Sequence, residues 1–249
     1  MNNITLKEGE RVDDLNLNGY HIIQNPNYFC FGMDAVLLSS FTEVKEGEIV
    51  LDLGTGNGVI PILLEAKTKG HKFIGIEIQP QNVDMARRSV LFNGLEDKVE
   101  IHNQDIRNVK DCYNNDSFDV ITSNPPYMNE GGGLLSINEA RTIARHEVFC
   151  SLEDVIGAAA YLLKNKGRFY MVHRPQRLVD IIEILRKYRL EPKKMQLVHP
   201  YIGKAPNMLL IEAIKNAGPL LKVLEPLIIY NEKRQYTEKI KELYKEKRG

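Results

Sequence analysis

From residue 49 onward, short apolar runs alternate with longer stretches of helical periodicity. Ile49-Val50-Leu51-Asp52-Leu53 reads as a strand, followed by a helix from Val59 to Lys69. Lys72-Phe73-Ile74-Gly75-Ile76-Glu77 is a second strand. Pro80 opens the next helix, to about Asn93, because its missing N–H is harmless in a first turn. Val99-Glu100-Ile101-His102 and Phe118-Asp119-Val120-Ile121-Thr122-Ser123 are strands three and four. A helix from Ser151 to Leu163 opens on the capping box Ser151-x-x-Asp154. Gly167 to Val172 is strand five, and Pro175 to Tyr188 is helical. Met195 to Val198 and Met208 to Ala213 are strands six and seven, with no helix between them. Strands alternating with helices predict a parallel sheet. The helix-free last connection predicts an antiparallel pair at one edge. The expected fold is α/β, with a seven-stranded, mostly parallel sheet, one antiparallel edge strand and helices on both faces.

The two ends of the chain read differently. Residues 1–45 carry a candidate hairpin, in which Gly9 to Leu15 and Tyr20 to Gln24 flank the turn signal Asn18-Gly19. Asp34 is placed to cap a short helix with an apolar face of Val36, Leu37, Leu38 and Phe41, a lid over the core. Residues 46–215 are the expected core. Residues 216–249 add an apolar stretch, Leu224 to Tyr230, and a charged helix, Glu232 to Lys247.

Composition narrows the class of protein. The 249 residues suffice for one large domain with modest additions. Formal net charge is zero, which excludes a strongly basic coat but allows local basic patches. The three cysteines, Cys30, Cys112 and Cys150, are far apart and lack zinc spacing, so no metal and a reduced, cytoplasmic setting are expected. No signal peptide is visible at Met1 to Thr5, and no apolar run approaches the ~18 residues of a membrane helix.

The chemistry gathers at strand ends. Gly54-x-Gly56-x-Gly58 joins a strand to a helix, spaced more tightly than the G-x-G-x-x-G of dinucleotide loops. Asp52, two residues upstream, is a poor neighbour for a pyrophosphate and a good one for an ammonium group. Glu77, closing the second strand, is placed to accept from two ribose hydroxyls. Asp105, after the third, could accept from an adenine amine. Together they describe S-adenosylmethionine. Asn124-Pro125-Pro126-Tyr127 follows strand four, and two prolines end a ladder abruptly. That leaves an amide, a carbonyl and an aromatic ring at the edge where α/β sheets bind ligands.

With these residues the chain resembles the class I S-adenosylmethionine-dependent methyltransferases, a Rossmann-like family. Val50 to Gly58 is similar to their cofactor loop, and Asn124 to Tyr127 to the tetrapeptide of those that methylate planar nitrogens. The resemblance implies cofactor contacts at Gly32, Asp34, Asp52, Gly54, Thr55, Gly56, Asn57 and Gly58. It implies further contacts at Glu77 with Ile78, Asp105 with Ile106, and Asn124. It makes Asn124, Pro125, Pro126 and Tyr127 the catalytic set. The Asn124 oxygen and the Pro125 carbonyl accept the two N–H bonds of the target amine, and Tyr127 stacks on its ring.

That tetrapeptide serves adenine N6, cytosine N4, guanine N2 and glutamine amides alike. Phe31-Gly32-Met33-Asp34-Ala35-Val36-Leu37-Leu38 resembles the G-x-D-x-x-L-L stretch of the bacterial enzymes that make N6-methyladenine in valine tRNA, beside the anticodon. Ala140 to Glu147 is similar to the same group. A tRNA partner is therefore expected, with Arg141, Arg145, His146 and Lys204 as candidate contacts, and a monomer is the default state. Guanine-N2 methylation of rRNA, glutamine-N5 methylation of protein, and a non-catalytic RNA-binding factor stay open.

Overall fold

The computed structural model describes residues 5–28, 30–125 and 150–244. At the N-terminus, β1 (Arg11–Asp14) and β2 (His21–Gln24) pair antiparallel. Asn18 and Gly19 both take positive φ, 52° and 69°, the turn whose twist matches the flanking strands. The hairpin docks on the third helix of the chain: Ile23 N donates to Ser89 Oγ at 3.0 Å and His21 N to Asn93 Oδ1 at 2.8 Å.

After the hairpin come α1 (Met33–Phe41), β3 (Ile49–Leu53), α2 (Val59–Lys67), β4 (Lys72–Glu77), α3 (Pro80–Phe92) and β5 (Val99–Asn103). Next are α4 (Val109–Cys112), β6 (Phe118–Ser123), α5 (Leu152–Leu162), β7 (Leu163–His173) and α6 (Leu178–Lys187). The chain closes with β8 (Leu190–Tyr201), β9 (Met208–Lys215), β10 (Lys222–Val223), β11 (Leu227–Tyr230) and α7 (Glu238–Leu243). The Ser151–Asp154 capping box forms in both directions at the start of α5.

The central sheet runs β10-β8-β9-β7-β6-β3-β4-β5, with β11 also on β8, nine strands among the described residues. β5, β4, β3, β6 and β7 are parallel. β9 is antiparallel to both β7 and β8, so β8 points the same way as β7. The sheet therefore exceeds the expected seven strands, and its antiparallel strand is interior rather than at the edge. The physical reason lies in β8 and the tail. Leu190 to Lys194 lacks an apolar alternation, yet ladder bonds from β9 keep it extended. Leu227 and Ile229 bury their side chains as β11 joins β8.

Strand alternation divides the core. Val50, Val120, Tyr170 and Val172 face the hairpin, α1, α2 and α3. Leu51, Leu53, Ile121, Phe169 and Met171 face α5 and α6. Two local expectations are corrected. α1 takes Gly32 as its N-cap, in extended backbone, so Asp34 sits inside the first turn instead of capping it. The tail helix is six residues long, because Asn231 to Gln235 closes a turn that returns Tyr236 to Tyr230. Lys247, its expected end, lies outside the described residues.

Candidate functional site

β3 leads outward to β4 and β5, and the chain then returns to β6 on the other side of β3. The β3–β6 boundary is the switch point, and the C-terminal ends of these two strands open a crevice there. The glycine loop stands at the end of β3 and Asn124 at the end of β6. Adjacent strands lie ~4.8 Å apart, so residues distant in sequence share one edge.

The loop needs its glycines. Gly54, Gly56 and Gly58 have φ of 75°, 57° and 82°, where a side chain is strained. At Gly58 a Cβ would also stand 3.0 Å from the Ala86 Cβ. Gly54 N and Thr55 N both donate to Ile76 O, at 3.0 and 2.9 Å, tying the loop to β4. Gly75 of β4 makes room for it, since a Cβ there would lie 2.7 Å from Thr55 Cγ2. Gly75→Ala should push Thr55 outward and cost about 1–3 kcal/mol, the usual range for an overpacked interior. Thermal denaturation reads this, and an unchanged melting point would mean that the loop relaxes freely.

Asp52 is buried, and Thr122 Oγ1 donates to its Oδ1 at 2.7 Å. Burial pushes its carboxyl up to about 6; the Thr122 hydroxyl pulls it back, and the Glu77 charge adds to the rise. Glu77 accepts from Gly56 N at 3.0 Å and Gln79 N at 2.8 Å. Its carboxyl is also raised, chiefly by burial, against the pull of these amides. Asp105 behaves oppositely. Its side chain caps a 3₁₀ turn and pairs with Arg107 at 2.6 Å, which holds its carboxyl low. Ile106 lies over the loop, its Cδ1 3.8 Å from where a Gly54 Cβ would be. Ile78 O accepts from the Asn103 amide at 3.0 Å, fixing the exit of β4.

Across the crevice, Asn124 Nδ2 donates to Asp34 Oδ2 at 3.0 Å, so α1 touches the end of β6 directly. Gly32 admits this approach, for a Cβ there would stand 2.9 Å from Asp34 Oδ1. Ser123 Oγ donates to Leu53 O at 2.9 Å, pinning β6 to β3 just before Asn124. Pro125 is half-buried beside it. Pro126, Tyr127, Arg141, Arg145 and His146 lie outside the described residues. Lys204 is exposed in the β8–β9 connection, at the same sheet edge because β8 is parallel to β7.

Three residues escaped the sequence reading. Thr122 holds Asp52. Gln24 Oε1 accepts from Phe31 N at 2.9 Å and from Asn57 Nδ2 at 3.4 Å, joining hairpin, lid and loop. His173, buried at the end of β7, is pushed down to about 4 by burial and nearby arginines and stays neutral. Only Thr122 had a signal: a hydroxyl facing inward in an apolar strand, in register with Asp52.

Buried polar atoms lining the loop are left without a hydrogen-bond partner among the described residues: Asp52 Oδ2, Thr55 Oγ1 and Asn57 Oδ1. Orphaned acceptors gathered at one loop fit a ligand that brings donors. A family model described as a methyltransferase domain matches residues 44–242. The chain belongs to the methyltransferase-domain family. S-adenosylmethionine is its cofactor, and the orphaned acceptors suit a group with an ammonium and hydroxyls. The chain is 33% identical over 187 residues to the tRNA1(Val) (adenine(37)-N6)-methyltransferase of Porphyromonas gingivalis, covering 73% of this chain and 72% of that one. A relative of the same name from Bacteroides thetaiotaomicron is 30% identical over 217 residues, 86% of this chain and 88% of the other. Among solved structures, a predicted O-methyltransferase of Agrobacterium tumefaciens superposes with a TM-score of 0.68 at 23% identity. That match covers 85% of this chain and 95% of that one, and shares the fold.

Proposed function

We propose that this S-adenosylmethionine-dependent methyltransferase modifies N6 of an adenine in tRNA near the anticodon. The observation that carries the reading is the likeness, over 72% to 96% of this chain, to relatives named for that reaction. Asn124-Pro125 at the switch-point edge supports it.

An exocyclic amine on a base shares its lone pair with the ring and is a weak nucleophile. Bound S-adenosylmethionine supplies an electrophilic methyl carbon. Asp52 would meet the cofactor's ammonium, Glu77 its ribose hydroxyls, and Asp105 with Ile106 its adenine. Asn124 Oδ1 and the Pro125 carbonyl would accept the amine's two N–H bonds. That turns the lone pair out of the ring plane and stabilises positive charge as it grows on nitrogen. Asp34, by taking the Asn124 Nδ2 hydrogen, turns Oδ1 the other way and holds the amide in one orientation. No strong general base is needed, since the N–H becomes acidic only as the new bond forms. Holding the partners in line accounts for much of the remaining acceleration.

Incubation with labelled S-adenosylmethionine and bulk tRNA lacking the modification should give N6-methyladenine after nuclease digestion. Label in guanine would refute the base assignment. Label that survives ribonuclease and is lost to protease would refute an RNA substrate.

A further inference from the structure

Four tyrosines form a continuous row along the sheet edge that carries the candidate site, the Tyr201 and Tyr230 planes tilted by 32°. Tyr201 ends β8 and Tyr230 ends β11, and their ring centroids are 5.4 Å apart. Tyr230 stacks on Tyr236 at 5.3 Å, with planes 20° apart, and Tyr236 on Tyr244 at 6.1 Å and 15°. Tyr244 Oη then reaches Met33 Sδ at 3.5 Å, in the first turn of α1. The next residue, Asp34, holds Asn124. One line of side chains thus runs from the β8–β9 connection to the candidate site.

Tyr230 has Tyr201 and Tyr236 as ring neighbours, and Tyr236, the most exposed of the four at 38%, has Tyr230 and Tyr244. Tyr244 is closed by α1. Tyr201, half-buried, is the terminal ring and presents the end of the row. The loop beside it is held in place: Lys204 N donates to Tyr201 O at 3.2 Å, His199 Nδ1 donates to Lys204 O at 2.6 Å, and Arg174 Nη1 to Asn207 O at 3.0 Å. Cations lie along the same stretch of chain. Lys239 and Lys241 of the tail are tied to Glu225 and Glu238 at 3.3 and 2.6 Å. Lys204, and Lys233 and Arg234 in the turn between Tyr230 and Tyr236, are exposed and have no carboxylate partner among the described residues.

We propose that Tyr201 is a stacking platform for an unpaired base of the RNA substrate, with Lys204, Lys233 and Arg234 meeting the adjoining phosphates. The proposal rests on the RNA reading above. An aromatic face beside unpaired cations is how single strands are held without sequence readout. On a chain with no net charge, such a local cluster supplies the phosphate attraction. A platform here anchors a nucleotide beside the target, so that the target base alone enters the crevice.

The chain has no tryptophan, so Tyr201→Trp installs one reporter in the full-length protein. Its emission should be quenched by a single-stranded oligonucleotide of anticodon-loop sequence, less so as salt is raised. Tyr201→Leu should raise the KM for tRNA ~10-fold or more, the loss of one base–aromatic stack, while S-adenosylmethionine affinity holds. Tyr201→Phe should restore the wild-type KM, because the ring and not the hydroxyl is needed. No quenching at saturating oligonucleotide, or an unchanged KM in Tyr201→Leu, overturns the platform. Quenching in a protein that leaves tRNA unmethylated supports the platform and refutes the tRNA substrate, so the two failures are distinct.

Discussion

Asn124→Ala is expected to lower methyl transfer by ~10²–10³-fold, the usual loss when one preorganised polar contact to the reacting group is removed. Affinity for S-adenosylmethionine should stay near wild type. The glycine loop, Asp52 and Glu77 stand on β3 and β4, and their bonds do not pass through Asn124. Single-turnover assays with isothermal calorimetry separate the two quantities. Equal loss of transfer and of cofactor affinity would show that Asn124 mainly holds the cofactor. Asp34→Asn serves as a companion, because an amide there can still accept from Asn124 Nδ2 but can equally turn its own N–H toward it. A smaller loss in rate than Asn124→Ala is expected, and a larger one would place Asp34 at the cofactor first.

Asp52→Asn should make the protein without cofactor more stable and the protein with cofactor less so. The buried Asp52 carboxyl titrates near 6 instead of its ordinary 3.8. Between these values the folded state binds more protons than the unfolded chain, so stability falls as pH rises through that window. Glu77, raised in the same direction, adds to the slope. At neutral pH the buried Asp52 charge therefore costs on the order of 3 kcal/mol, which the amide avoids. Denaturant titrations of the cofactor-free protein at pH 4 and 7 should show a smaller decline for the variant. Its affinity for S-adenosylmethionine should drop at least ~10-fold, since a buried acceptor bonded to an ammonium loses its charge. A variant that binds the cofactor as well as wild type would place the ammonium elsewhere.

Legibility differed from element to element. Strands β3, β4, β5 and β6 are apolar runs bounded by turn residues, and their cores fall where the periodicity places them. β8 runs well beyond the apolar run Met195 to Val198, since half of it is polar and pairing with β9, β10 and β11 keeps it extended. The short tail helix arises from the same kind of tertiary cause, a tyrosine contact that bends the chain before it can wind. In the candidate site, the glycines and strand-end acids are visible in the sequence because they fall together at the ends of apolar runs. Thr122, Gln24 and His173 did not, because their roles depend on partners 70, 33 and more residues away in the sequence or on burial alone.

By itself the sequence determined an α/β alternation with a glycine loop, acids and a proline pair at the ends of apolar runs, and local rules suffice for that. The methyltransferase assignment came from the family resemblance that those residues carry. Tertiary structure alone decided which of these groups meet. It set Asp34 on Asn124 instead of at a helix cap, left Asp52 Oδ2 and Asn57 Oδ1 buried with unmet acceptors, and lined up four tyrosines from three segments. Such contacts join residues up to 211 positions apart, as in Met33 with Tyr244. They follow from strand order and packing, which no local pattern encodes.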